Sequence, residues 1–385
     1  MALPFSLETF PTKFMTYSLW QKPLGHSQNV TVDVAIVGAG LTGLSLAYWL
    51  TELQPGLQVM VLDRQGLGTG ASGRNAGFHT AGSASFLADM VQRLGTDEAG
   101  KWWQLKRRSL QMMRERLLCQ FPDVDYQQAG STGLYRDQRQ LEEIFERIKP
   151  IETATQLSKA ELVGQGLQGF SGGLHLAQDA SFHPMKFLQN LHQLLLKRGV
   201  LFQLDQTLGW INGDRLFTER GEVQAGQVFL AINGFASQFS AELGALVTPK
   251  RGQILAIQNP GLKLQGNFYD TAERVYFRLD HAGNLLLGGR RTADEAHEDT
   301  AVDHISPQVQ AALERYAQSL VPQPKIVARW SGIMGFTADE RPILYTLPQH
   351  PHVMFVGGYS GHGMGMAFGH AHSAVSKFLG VASGQ

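Results

Sequence analysis

The hydrophobic pattern changes period sharply near the start of the chain. Val32-Asp33-Val34-Ala35-Ile36-Val37 is a short β-branched run, as expected of a strand buried in a parallel sheet. Leu46, Leu50 and Leu53 then recur at helical spacing, predicting a helix over 41–53 with that face inward. Val59-Met60-Val61-Leu62 predicts the next strand. The alternation returns later. Phe187, Leu188, Leu191, Leu194 and Leu195 mark a helix within 179–202, and Gly199 stops it before a new strand. At the C-terminal end, Val353 to Val356 predicts a strand, Gly357 to Gly365 a turn, and Met366 to Leu379 a helix. Two stretches break this rhythm. Residues 101–120 form one amphipathic helix, with Lys106, Arg107, Arg108, Arg114 and Arg116 expected on a solvated face. Residues 274–291 read as a hairpin turning at HAGN.

Between the first strand and helix stand Gly38, Gly40 and Gly43, in G-x-G-x-x-G spacing. The first permits a tight turn, the second lets backbone approach a pyrophosphate, and the third allows helix and strand to pack closely. Leu41 and Thr42 open the helix, whose amides and dipole would face the phosphates. Asp63 ends the second strand about 20 residues after Gly43, where an acidic group should meet a ribose hydroxyl and repel the extra phosphate of NADP. Asp63 and the adjoining Arg64 are therefore expected cofactor contacts. Strand, glycines, helix, strand and acid together predict an α/β fold with a Rossmann-like dinucleotide-binding domain.

Composition narrows the class. The chain has 385 residues, 43% hydrophobic and 17% charged, which suffices for two or three units with a sizeable core. Its 33 basic and 33 acidic residues cancel, which gives no reason to expect a nucleic-acid partner. Cys119 stands alone, so no internal disulfide or cysteine metal site is expected. No cationic start precedes an apolar run, and no window reaches the roughly 18 apolar residues needed to span a bilayer. A cytoplasmic protein with no metal is the expectation.

The segment GTGASGRNAGFHTAG, residues 68–82, resembles the A-S-G-R-N-x-G loop of the FAD-dependent amine and D-amino-acid oxidase family, at Ala71, Ser72, Gly73, Arg74, Asn75 and Gly77. That family includes glycine, sarcosine and γ-glutamylputrescine oxidases. The resemblance extends from Ser18-Leu19-Trp20 to Leu379 and implies bound FAD, held without a covalent bond through Cys119. It implies that the loop, Ala76 included, passes the ribityl chain and pyrophosphate, with Arg74 offsetting phosphate charge; a structural ion pair is the alternative for Arg74. It further implies backbone near the adenine at Thr207 and Leu208, and a strand-turn at Ala231, Asn233 and Gly234 beside the cofactor. A closing turn at Gly358, Tyr359, Gly361, His362, Gly363 and Met364 would aim helix-opening amides at the flavin pyrimidine edge. The fold implied is a glutathione-reductase-type FAD domain (30–88, 172–237, 327–385) interleaved with an α+β substrate domain of mostly antiparallel sheet (89–171, 238–326), after an N-terminal extension (1–29).

The resemblance also implies oxidation of a C–N bond in a small amine, with hydride passing to flavin N5 and the imine hydrolysing; oxygen or another acceptor would reoxidise the flavin. Two positions depart from the family. Met334 stands where an arginine forks the substrate carboxylate, and no lysine is present near Leu286, where sarcosine-oxidase-like members carry one over the flavin. Arg278 is the first substitute for the missing arginine, with a cross-strand ion pair as its alternative. His79 and Tyr276 are candidates for the cavity wall, and each could instead be a packed structural residue. A flavin-binding scaffold without turnover and a hydroxy-substrate dehydrogenase are the competing functions.

Overall fold

The computed structural model describes residues 29–151, 157–160 and 167–381. Ser18-Leu19-Trp20 and nearly all of the N-terminal extension lie outside them. Two eight-stranded sheets organise the described residues. In the first, His350–Gly357, Gly221–Leu230, Val30–Val37, Val59–Leu62 and Leu201–Gln203 run parallel in that spatial order. Ile343–Leu347 adds an antiparallel edge, and a hairpin of Leu208–Asn212 and Arg215–Thr218 joins at Gly221–Leu230. The second sheet is antiparallel apart from one pairing, Asn267–Asp270 with Ser131–Tyr135.

Two strands lie in a different unit from the one expected. Gly172–Leu176 pairs with Ser131–Tyr135, and Lys325–Phe336 pairs with Thr248–Gln258, so both belong to the second sheet. The 172–237 and 327–385 boundaries therefore fall too early. Sequence pattern marks where an element starts, while sheet membership is decided by its partner.

The first helix, Leu41–Leu53, is buried over its first ten residues. It needs apolar groups all round because it packs against helices as well as sheet. Trp49 donates from Nε1 to the Phe368 carbonyl at 2.9 Å, and the Trp49 and Phe368 rings pack at 4.9 Å. This pins the final helix, Gly363–Leu379, which starts three residues before the expected Met366. On its other side lies the long helix Thr96–Arg116, approached through small residues: Ser109 Oγ accepts from Gly369 N at 3.0 Å. A Cβ at Gly365 would stand 2.3 Å from the Thr80 carbonyl oxygen. Close packing of three helices thus sets the turn that precedes the last one.

Of the five basic residues expected on a solvated face of the long helix, Arg108 and Arg116 are exposed, but Lys106 and Arg107 turn inward. Lys106 is buried, and Arg107 donates at 2.6 Å to the fully buried Asp179. Lys106, Ser109, Leu110 and Met113 share the face turned inward, where the helix meets both neighbours.

Candidate functional site

A cleft of about 250 Å³ runs along the C-terminal ends of the parallel strands and under the second sheet. Its nucleotide end is built from backbone. Gly38 has φ +114°, donates to the Leu62 carbonyl at 2.7 Å, and would bring a Cβ within 2.6 Å of the Ala231 oxygen. Gly40, Leu41 and Thr42 line the cleft with the helix-opening amides. Gly43 does not line it; a Cβ there would stand 1.8 Å from the Gly38 carbonyl oxygen, so its role is packing.

Asp63 and Arg64 line this end. The Asp63 carboxylate already accepts from Ala39 N (2.8 Å), Gln65 N (2.8 Å) and Gly66 N (3.0 Å), which fixes both flanking loops. With about four lone-pair sites, it keeps capacity for one more donor. Arg64 donates to Gln238 Oε1 at 2.8 Å and lies 4.3 Å over the Phe235 ring. Thr207 and Leu208 line the same end, as do Ala231, Asn233 and Gly234. Asn233 acts as a bolt: its Oδ1 accepts from Gly358 N at 2.9 Å, tying two strand ends together.

The loop from Ala71 supplies Ala71, Ser72, Arg74 and Asn75 to the cleft. Ser72 Oγ accepts from Leu41 N at 2.9 Å, and Asn75 Oδ1 accepts from Gly77 N at 2.8 Å. Ala76 and Gly77 turn away. The Arg74 guanidinium does not stand free for phosphate: it is paired with Asp303 and donates to the Ser331 carbonyl at 3.1 Å. Its charge is matched by the second sheet's side of the molecule.

The ring end is walled by that sheet: Gly252, Ile254, Tyr276, Ile333 and Met334. Gly252 and Gly332 face each other across the ladder, and both line the cleft. Tyr276 and Met334 of this wall are expected from the sequence, whereas Gly252, Ile254, Gly332 and Ile333 are not; paired strand glycines in KRGQIL and WSGIMG were the available signal for them. Opposite stand Tyr359, Gly361, Gly363 and Met364. Tyr359 Oη accepts from Thr42 Oγ1 at 3.1 Å, locking the closing turn to the first helix. Gly358 and His362 do not line the cleft. The His362 ring packs 4.4 Å from Phe86, and burial, then the Lys106 charge, hold it far below its usual pKa.

Two expected wall residues are elsewhere. Arg278 is buried and donates to three carbonyls: Ala76 (2.5 Å), Leu279 (3.0 Å) and Phe182 (3.2 Å). It is neither a free carboxylate clamp nor a cross-strand ion pair. It holds the Ala71–Gly77 loop to the second sheet, and burial draws it down to about 10. His79 is buried against Tyr126 and Phe182, with Nε2 unpartnered, and does not reach the cleft. Burial and the Arg107 and Arg114 charges lower it to about 3, so it is neutral. Tyr276 does line the cleft; burial pushes it up to about 12, so it keeps its proton.

The dinucleotide cradle fits an elongated cofactor on geometric grounds. A Cβ at Gly70 or Gly361 would meet nothing closer than 3.9 Å and would enter the cleft, so glycine keeps the channel open at those points. With the Leu41 amide taken by Ser72, the helix-opening amide of Thr42 suits a pyrophosphate, and the flat apolar wall around Ile254 and Ile333 suits a planar ring. The fold and cleft define a flavoprotein built on a dinucleotide-binding sheet with a second sheet as roof. The chain belongs to the DAO family of FAD-dependent oxidoreductases, whose family description matches residues 33–376. It is 25% identical over 357 residues to the γ-glutamylputrescine oxidoreductase of Escherichia coli K12, covering 88% of this chain and 81% of that one. To the probable oxidoreductase OrdL of Rhizobium meliloti it is 28% identical over 353 residues, covering 87% and 80%. Glycine oxidase from Bacillus cereus shares the fold, with a TM-score of 0.75 at 15% identity over 91% of this chain and 95% of that one. Among the described residues, no helix is long and apolar enough to cross a membrane.

Proposed function

We propose that the protein oxidises the C–N bond of a small amine or N-substituted amino compound in the cytoplasm, with non-covalently held FAD. The carrying observation is the ring end of the cleft: an apolar roof containing Met334, with the N-terminus of the final helix opposite. When bound, FAD supplies a two-electron acceptor for hydride leaving the carbon beside nitrogen. The chain's own groups do the rest. Amides opening at Gly363 and Met364 would stabilise negative charge developing on the flavin pyrimidine edge. Ile254, Ile333 and Met334 exclude water from the reacting carbon.

Tyr276 cannot serve as a base near neutrality, and His79 and Arg278 lie outside the cleft. The amine therefore reacts as the neutral species without a dedicated side-chain base. The names of the relatives, a γ-glutamylputrescine oxidoreductase and a glycine oxidase among them, support an amino substrate. Met334 in the roof disfavours an α-carboxylate held beside the ring, because a thioether cannot pair with it. The test is anaerobic mixing of purified holoprotein with a panel of amines, read by bleaching at about 450 nm, a general flavin band. Bleaching by an amine supports the reading. Bleaching only by an alcohol or polyol phosphate would replace it with a hydroxy-substrate dehydrogenase, and no bleaching by any substrate with a scaffold. Repeating the panel in air distinguishes oxygen from another acceptor.

A further inference from the structure

Lys106 is the residue whose surroundings the fold leaves unexplained. It sits mid-helix in Thr96–Arg116, 4% exposed, and its Nζ has no hydrogen-bond partner among the described residues. Such burial is rare for lysine without a counter-ion, because desolvation of the ammonium goes uncompensated. The basic groups beside it are engaged: Arg107 by Asp179 and Arg93 by Glu340. Lys106 Nζ instead lies 4.0 Å over the Phe86 ring. That ring packs at 4.4 Å against His362, which stands between the cleft-lining Gly361 and Gly363. A stack of cation, aromatic ring and imidazole thus ends at the turn that opens the final helix.

We infer that Lys106 is a positioning residue which, through Phe86 and His362, puts one titratable positive charge behind the turn facing the cofactor, favouring the reduced form. The inference rests on the flavin reading above, with the pyrimidine edge against that turn. Reduction would add negative charge at that edge, and a cation behind the turn, across a low-dielectric stack, would stabilise it. Burial draws the ammonium down to about 7, against an opposing influence from Glu340. The groups facing it are few. Its own helix carries Arg107, turned to Asp179; the helix Ala84–Leu94 offers Phe86 and Arg93, the latter paired with Glu340 at 2.7 Å. The final-helix side offers His362, neutral through burial, and the 337–342 loop offers Glu340. Because Glu340 is already bound by Arg93, the Lys106 charge is not cancelled locally.

The sign follows. Below neutrality Lys106 is charged and reduction is favoured; as pH rises through about 7, that help is lost. The test is the two-electron midpoint potential of the holoprotein, measured by dye equilibration from acid to alkaline pH, for wild type, Lys106→Met and Lys106→Arg. At pH 6 the Met variant should lose about tenfold in the preference for reduced over oxidised cofactor, the order expected of one charge at this range. Lys106→Arg, which keeps its charge, should hold the acid-side preference to alkaline pH and flatten the wild-type change near neutrality. A Met variant with the wild-type potential at pH 6 would overturn the inference. Should that variant fail to hold flavin, the Arg variant decides alone: an unaltered neutral pH dependence overturns it equally. Wild-type protein that binds no flavin would instead remove the underlying functional reading.

Discussion

The two ends of the cleft are made in opposite ways. At the nucleotide end, backbone and glycine do the work, and the Asp63 carboxylate is shared among three amides within a few residues of it or of the glycine turn. At the ring end the wall comes from strands at 248–258, 275–279 and 325–336, far apart in sequence. There, charges are absorbed at a distance: Arg74 by Asp303, Arg278 by carbonyls of two other segments. Local geometry is rigidly specified at the first end, while the second depends on long-range pairing. Substitutions should therefore act differently at each.

The largest effect is expected at Gly43. Gly43→Val forces a side chain into the space 1.8 Å from the Gly38 carbonyl oxygen, so a loss above about 4 kcal/mol and colourless or insoluble protein are expected. A yellow, stable variant would mean that the glycine turn is adaptable. Next comes acid stability. Unfolding lets His79 recover its ordinary pKa of 6.5 from about 3, so the unfolded chain binds the extra proton. Stability is then full above pH 6.5 and falls as pH drops toward 3. Denaturant midpoints should fall by up to a few kcal/mol equivalents at pH 4, and His79→Leu should remove part of that slope. Other buried histidines such as His370, lowered to about 4 by burial, add to the slope, while buried Asp179, raised to about 7, opposes it.

Asp63→Ala should cost about 1–3 kcal/mol, because three amides lose their acceptor, and should also release flavin on purification. Asp63→Asn, which keeps one acceptor oxygen, should recover part of the stability. Full flavin occupancy in the alanine variant would confine Asp63 to its loop. The smallest effect belongs to Arg74. Its pair with Asp303 is about a third exposed, so Arg74→Met should cost under about 1 kcal/mol in thermal unfolding and leave flavin bound. Loss of flavin would restore Arg74 as a phosphate partner and erase the contrast between the two ends.

That contrast also explains what could be read in advance. Strand, glycine turn, helix and Asp63 are legible because one short segment contains their entire geometry. The closing turn at Gly358–Met364 was legible for the same reason, though the helix begins earlier than its apolar run. Arg278 and His79 were misplaced because a strand or loop position does not say which sheet covers it. Lys106 sat in a run of basic residues that reads as surface until a second and a third helix are packed on it. Its neighbours Phe86 and His362 come from segments that no local pattern joins.

The Ala71–Gly77 loop has a further consequence. Trp330 donates from Nε1 to the Arg74 carbonyl at 2.8 Å, and Arg278 grips the Ala76 carbonyl from another strand of the same sheet. A segment that follows a strand of the first sheet is therefore hung by its main chain from the second. Chimeras that import the roof of a relative must bring along donors equivalent to Trp330 and Arg278. A hybrid lacking them would keep two well-made sheets and lose the hinge-pin between them, melting in two separate events instead of one.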